Sequence, residues 1–144
     1  AAQLELVLTR FSLIVSGILF YLFTILWLLP TYNLGAWFGV LTALAVVCEL
    51  ATALISDNGG HRSRLHGIVA WTMAVLMMFI AIALIFVPGV SIVAKFFESI
   101  LLSYLVLDWF LFLFIKSSRK LFLIFQSTYI LCFYLSILAV TYIR

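Results

Sequence analysis

The chain has 144 residues, of which 67% are hydrophobic and 9% are charged, and its mean hydropathy is +1.35. Soluble domains carry about 25% charged residues, so this chain has too little polar surface to cover a water-soluble fold. Its net charge of +3 comes from a few basic residues between apolar blocks, a pattern that excludes a nucleic-acid surface. We therefore expect an integral membrane protein whose main partner is the lipid bilayer.

Five apolar blocks follow one another along the chain, each close to the ~20 residues that cross a bilayer as a helix. The first block follows Arg10 and is too long for a signal peptide, so we expect it to be a retained helix. The sequence thus predicts an all-α fold, a single transmembrane domain (1–144) forming a five-helix bundle. The expected bounds of the five helices are about 11–29, 34–55, 66–87, 100–115 and 121–143.

Turn residues separate the predicted helices. Pro30 and Asn33 end the first helix, and the cluster at 57–60 ends the second, because Asn, Asp, Gly and Pro favour turns. The stretch 90–99 is less apolar and carries Lys95 and Glu98. It fits either an interfacial segment or the first turns of the fourth helix.

The basic residues are distributed unequally between the two faces of such a bundle. The face with the N-terminus, the 56–65 loop and the 116–120 turn holds six of them, and the other face holds Lys95 and Arg144. Because Lys and Arg are enriched in cytoplasmic loops, we expect the N-terminus inside and the C-terminus outside, in the inner (plasma) membrane of a bacterium. The six are Arg10, Arg62, Arg64, Lys116, Arg119 and Lys120.

Two carboxylates, Glu49 and Asp108, fall inside the second and fourth predicted helices. An ionisable group in hydrocarbon is costly and marks a candidate functional site. Each acid precedes the inner end of its helix by eight residues, which is roughly 12 Å at 1.5 Å per residue. The other three helices place polar residues roughly 9 Å deep on the same reckoning. These are Ser16, Thr72 and Gln126.

These side chains predict one polar layer in the inner half of the membrane, with the two acids facing each other. Tyr104 lies one turn before Asp108 and could bond to it. A stripe of mostly small residues along the second helix would bring another helix close and turn Glu49 toward protein. The stripe comprises Gly35, Gly39, Thr42, Val46, Glu49 and Ala53.

Three functions remain open at this point. The leading hypothesis is a non-enzymatic protein that binds or translocates a proton, a cation or a small polar ligand at this layer, as a homodimer or within a larger complex. In the second, the polar residues bond to partner helices in a structural or accessory subunit, or the acids reach toward the basic loop residues. The third is a lipid-modifying or metal-dependent enzyme.

The third hypothesis depends on the loop between the second and third helices. Asp57, His61 and His66 are possible zinc ligands, with Glu49 as a fourth, but their spacing matches no known metal signature. We therefore expect no metal and no cofactor, with Arg62 and Arg64 touching lipid headgroups and His66 capping the third helix.

The same loop carries a family resemblance. The stretch LISDNGGHRSRLHGIVA (54–70) resembles the domain-of-unknown-function 998 membrane family, in which a helix ends in an acid-containing turn and a His opens the next helix. Asp57 and His66 match that pattern, and ISDNG (55–59) is similar to the turn of the DRAM-like membrane proteins. The resemblance covers this helix–loop–helix unit and implies a polytopic helical fold. The chain lacks the proline often placed before the acid and has five apolar blocks rather than six.

Overall fold

The structure, a computed structural model, is built from helices. It describes residues 2–55, 60–115 and 122–143, and their side chains except those of 2, 3, 5, 6, 60–63 and 122–126. The described residues include no strand. The chain divides into two compact units, unit 1 (Ala1–Met77) and unit 2 (Met78–Arg144).

Unit 1 begins with one long helical rod. It consists of α1 (Ala2–Phe23), a π-helical segment (Thr24–Leu28) and α2 (Leu29–Tyr32), and the residues at both junctions keep right-handed helical backbone angles. Asn33 ends the rod in a left-handed conformation with φ of 53°, which Asn tolerates better than most residues do. The helix therefore continues past Pro30, where we expected it to end.

The π-helical segment explains how the rod accommodates Pro30. A proline ring clashes with the carbonyl four residues earlier and cannot donate an N–H, so it usually kinks or ends an α-helix. Here the wider turn lies immediately before the proline, and the N–H of Leu29 bonds to the carbonyl of Thr24, five residues back. Pro30 itself lies in the first turn of α2, where its missing N–H is tolerated.

Helix α3 (Ala36–Leu54) follows a short connection and packs against α1. Gly17 of α1 lies beside Val46 and Glu49, and Gly39 of α3 lies beside Ile25 and Leu29. Helix α3 therefore runs antiparallel to the first rod. Helix α4 (Gly60–Ile85) begins six residues earlier than we expected, and it extends from unit 1 into unit 2.

Unit 2 contains the end of α4, then α5 (Ile92–Phe114) and α6 (Phe122–Tyr142). Helices α5 and α6 pack against each other, and Ser91 fixes their register because its hydroxyl donates to the carbonyl of Ile143 at 3.1 Å. The same hydroxyl accepts a hydrogen bond from the N–H of Ala94 and caps α5. The stretch 90–99 is therefore mostly the beginning of this helix, which starts eight residues before the expected position.

Four helical stretches among the described residues are long and apolar enough to cross a membrane. They are Val7–Tyr32, Ala36–Leu54, Arg64–Ile85 and Ile92–Phe114. Helix α6 also reaches 21 residues, and its described apolar part covers Ser127–Tyr142. The all-helical architecture with long apolar helices is thus confirmed.

Candidate functional site

Glu49 lies on the buried side of α3 and is 1% exposed. Thr42, Val46 and Ala53 of the predicted stripe are buried with it, at the spacing of three and four that defines one helix face. At the other end of the stripe, Gly35 is exposed. The carboxyl group therefore projects into protein, as the stripe indicates.

The carboxyl group of Glu49 lies directly against the backbone of α1 at Gly17. A Cβ atom placed on Gly17 would collide with Oε2 of Glu49 and would lie 3.4 Å from its Cδ atom. Gly17 is buried, so the lack of a side chain here makes the space that the carboxyl group occupies. Sequence reasoning singled out the glycines of α3, whereas the glycine that matters for Glu49 lies on the partner helix.

Two polar residues of the predicted layer in unit 1 satisfy their hydroxyl groups within their own helix. The hydroxyl of Ser16 donates to the carbonyl of Leu13 at 3.2 Å, and that of Thr72 donates to Ile68 at 2.8 Å. Thr72 is exposed and Ser16 is half-buried. Because a helical Ser or Thr can bond to a carbonyl three or four residues earlier, a polar residue at the right depth need not contribute to an interior site.

Two buried hydroxyl groups that sequence reasoning did not select lie in the same helix pair. Thr24 and Thr42 are fully buried, and neither Oγ1 atom has a hydrogen-bond partner among the described residues. Thr24 lies seven residues after Gly17 on the first rod, and Thr42 lies seven residues before Glu49 on α3. The antiparallel register thus places both hydroxyls at one level, beside the π-helical segment.

The loop residues of the metal hypothesis are described only in part. His66 lies within α4, and its Nδ1 atom lies 2.8 Å from the carbonyl oxygen of Ile55, to which it can only donate. It therefore secures the end of α3 and does not open a helix. Arg64 is exposed. The remaining predicted residues lie outside the described residues or have side chains outside them: Asp57, His61, Arg62 and Gln126.

In unit 2, Asp108 lies on α5 and is 8% exposed. Its Oδ2 atom is buried and has no hydrogen-bond partner among the described residues. The carboxyl group lies near Tyr129 and Cys132 of α6, and the ring of Tyr129 stacks on Trp109 with centroids 6.5 Å apart. Tyr104, which we expected beside Asp108, is 52% exposed and lies on the outer side of α5.

A second acid of α5, Glu98, is more deeply buried than Asp108. It is 0% exposed, and both of its carboxyl oxygens are buried without a hydrogen-bond partner among the described residues. The hydroxyl of Ser136 of α6 lies beside its carboxyl group. A serine cap three residues after Pro88 was the signal that could have placed Glu98 inside α5, because Ser is a favoured N-cap residue.

The three buried acids among the described residues are divided between the two units. Glu49 belongs to unit 1, and Asp108 and Glu98 belong to unit 2. The mutual approach of Glu49 and Asp108 stays a prediction. A carboxyl group held inside a protein can exchange a proton or coordinate a cation. Its negative charge must be neutralised by a proton, by a cation or by hydrogen-bond donors.

Comparison with known proteins adds no relative. No protein-family model, no curated protein and no solved structure matches the chain. The resemblance of the 54–70 stretch to the two membrane families therefore stays a prediction, and the buried carboxyl groups are the features that point to a function.

Proposed function

We propose that this chain is a multi-pass integral membrane protein that binds or translocates a proton, a cation or a small polar ligand through buried carboxyl groups, with Glu49 and Asp108 as the principal residues. In this proposal the protein has five transmembrane helices, with its N-terminus inside and its C-terminus outside. Five short helices enclose little volume, so a homodimer or a larger complex would complete the site.

The position of Glu49 carries the proposal. Its carboxyl group occupies the space left by Gly17 at the α1–α3 interface, so the acid is enclosed by protein. A side chain that serves only as a surface charge would lie at the end of a helix, in reach of water. Glu49 instead lies five residues before the end of α3, and an ionisable group within a membrane-spanning helix is costly and marks a candidate functional site.

The outer surface of the helices supports a membrane setting. Large apolar side chains are exposed along every long helix, among them Leu26, Val47, Phe79 and Phe114. Trp27 contacts Tyr32 edge to face near one end of the first rod, and Trp37 is exposed at the start of α3. Aromatic residues at helix ends are typical of a membrane–water interface.

The hydrogen bonds favour this function over that of an accessory subunit held together by polar contacts. If the polar residues joined helices, their hydroxyls would donate across the interfaces. Ser91 does so at one end of the α5–α6 pair, whereas several others donate to carbonyls of their own helix: Ser16, Thr52, Thr72, Ser99, Ser103, Ser136 and Thr141. The buried acids are then the polar groups that call for a function.

Proton and cation flux in liposomes tests the proposal. The purified chain is reconstituted with a pH-sensitive dye inside the vesicles, and a potassium diffusion potential is imposed with valinomycin. We expect dye acidification in the wild type and none above protein-free vesicles for Glu49→Gln combined with Asp108→Asn. Parallel assays with external sodium and potassium show whether a cation replaces the proton.

Two controls separate loss of function from loss of structure. Ser103→Ala removes an exposed hydroxyl that bonds within α5, so this variant should keep the wild-type flux. The acid variants must also elute from a sizing column in detergent like the wild type. Wild-type flux in the double acid variant contradicts the proposal, and a normal flux with a changed oligomeric size supports the accessory-subunit hypothesis instead.

A further inference from the structure

Glu98 occupies a buried position at the α5–α6 interface that the proposed site does not include. The hydrogen bond between Ser91 and Ile143 joins the two helices at one end. Glu98 lies seven residues after Ser91 on α5, and Ser136 lies seven residues before Ile143 on α6. The register of the helix pair thus places these two side chains at one level, and they are both fully buried. Neither carboxyl oxygen accepts a hydrogen bond from a described donor, and the hydroxyl of Ser136 is the polar group that lies beside them.

The hydrogen bond of Ser136 determines what this hydroxyl can offer to Glu98. Its proton is donated to the carbonyl of Phe133 at 2.7 Å, so the Oγ atom turns lone pairs toward its other neighbours. If Glu98 were ionised, its carboxylate oxygens would face the Oγ lone pairs of Ser136, and neither group could donate a hydrogen bond to the other. A protonated carboxyl group would instead present an O–H donor to the Oγ atom of Ser136.

No described cation of unit 2 provides an alternative partner. Lys95 lies one turn before Glu98 on α5, is half-buried and makes no ion pair with it in the described part of the chain. The section of α4 in this unit, residues 78–85, contains no titratable side chain. On α6, Cys132 and Tyr129 lie four and seven residues before Ser136, about 6 and 10 Å along the helix axis, and neither side chain is a cation.

A metal cation fits the position less well than a proton does. Glu98 and Ser136 offer three oxygen atoms, whereas hard divalent cations take about six or more oxygen ligands. A proton needs one carboxyl oxygen and one acceptor, and Ser136 supplies the acceptor. The geometry therefore favours the smallest ligand.

We propose that Glu98 is a proton-binding site, with the proton on one carboxyl oxygen and donated in a hydrogen bond to the Oγ atom of Ser136. Ser136 is a positioning residue, because the carbonyl of Phe133 fixes the direction of its hydroxyl. Proton release breaks the carboxyl O–H bond, transfers the proton to water and leaves a carboxylate without a donor. Release must therefore be coupled to a rearrangement that brings water or a cation to Glu98.

Infrared spectroscopy of the full chain in lipid nanodiscs tests this site directly. A protonated carboxyl group gives a C=O stretching band that a carboxylate lacks, and the chain has only five acidic residues. We expect the wild type at neutral pH to show a protonated carboxyl band that shifts in heavy water, and Glu98→Gln to lose that component. Ser136→Ala should keep the component and shift it to higher frequency, because the hydrogen bond is lost.

The matched controls are the acids of the proposed function. Glu49→Gln and Asp108→Asn should retain the Glu98 component, so the result at Glu98 stands whether or not those two residues support flux. If Glu98→Gln does not fold, Ser136→Ala decides alone: a shifted band supports the site, and an unchanged band overturns it. A wild-type minus Glu98→Gln difference spectrum without a protonated carboxyl band overturns the proposal. So does disappearance of that band when sodium replaces choline, because a cation would then be the ligand.

Discussion

The two helix pairs of this chain bury an acid in different ways. At the α1–α3 interface, Glu49 occupies the space left by Gly17, and the residues near it on the buried face of α3 are small, such as Ala45 and Ala53. At the α5–α6 interface, Glu98 meets the side chain of Ser136, and the buried residues between the two levels of acids are large, such as Leu105 and Phe133. One pair depends on close approach to a backbone, and the other depends on bulky side chains.

The difference predicts opposite responses to changes in side-chain size. A helix pair with close backbone contact tolerates additions poorly, because the closeness itself is the stabilising feature. A pair joined by large side chains tolerates deletions poorly, because each deletion leaves a cavity. The following predictions test this contrast, and their effects are measured as the free energy of unfolding in mixed micelles.

Phe133→Ala is expected to have the largest effect. Phe133 is fully buried and lies on the stripe of α6 between Tyr129, near Asp108, and Ser136, near Glu98. Its truncation should lower the free energy of unfolding by about 3–5 kcal/mol, the usual range for a buried phenylalanine. Phe114→Ala is the matched control because Phe114 is exposed at the end of α5, and that variant should unfold like the wild type. Equal losses in both variants would mean that α6 is not packed through Phe133.

Gly17→Leu is the corresponding test at the α1–α3 interface. The added side chain must enter the space of Glu49, so we expect a loss of about 1–3 kcal/mol, the usual cost of overpacking. At Gly67 a Cβ atom would meet nothing within 4 Å, which makes Gly67→Leu the control for the effect of leucine in a helix. Combining Gly17→Leu with Glu49→Ala should restore part of the loss. If Gly17→Leu is as stable as Gly67→Leu, Glu49 is not held against α1.

These contrasts also show what the sequence could and could not predict. Hydropathy predicts the long helices, and helical spacing predicts that Glu49 shares a face with Thr42 and Ala53. It does not predict which residue of another helix meets that face, so Gly17 was not selected. Depth suggests Thr72 as a member of an interior layer, and helical spacing suggests Tyr104 as a partner of Asp108. Both residues are exposed, because the rotation of the helix also decides where a side chain lies.

Glu98 was missed for a related reason. The start of α5 is less apolar than its middle, and a boundary drawn from hydropathy leaves Glu98 outside the helix. The structure starts the helix at its serine cap, and the acid then falls on a buried face with Ala94 and Leu105. Capping chemistry is local and can be recognised in the sequence, whereas the position of Ser136 depends on the register of two helices and cannot be.

Ser91→Ala tests that register. The hydroxyl of Ser91 caps α5 and also donates to Ile143, so its loss removes two interactions at one end of the helix pair. We expect a loss of about 1–2 kcal/mol, most of it from the cap. Ser91→Asp keeps an acceptor for the cap but has no donor for Ile143. Its free energy of unfolding should therefore lie between those of the wild type and Ser91→Ala. Ser99→Ala is the control, since that exposed hydroxyl bonds within α5. If Ser91→Asp unfolds like Ser91→Ala, the cap contributes nothing measurable.

Thr42→Val should have the smallest effect, and with the opposite sign. The hydroxyl of Thr42 is fully buried without a partner among the described residues, and valine has nearly the same shape. Replacing an unsatisfied polar group by an apolar one should raise the free energy of unfolding by about 1 kcal/mol. Thr52 lies ten residues further along α3, and its hydroxyl donates to the carbonyl of Cys48 at 2.7 Å. Thr52→Val removes this bonded hydroxyl and should bring no such gain in stability. If Thr42→Val loses stability while Thr52→Val does not, the hydroxyl of Thr42 has a ligand or water as its partner. Thr24 and Thr42 would then join Glu49 in the candidate site at the α1–α3 interface.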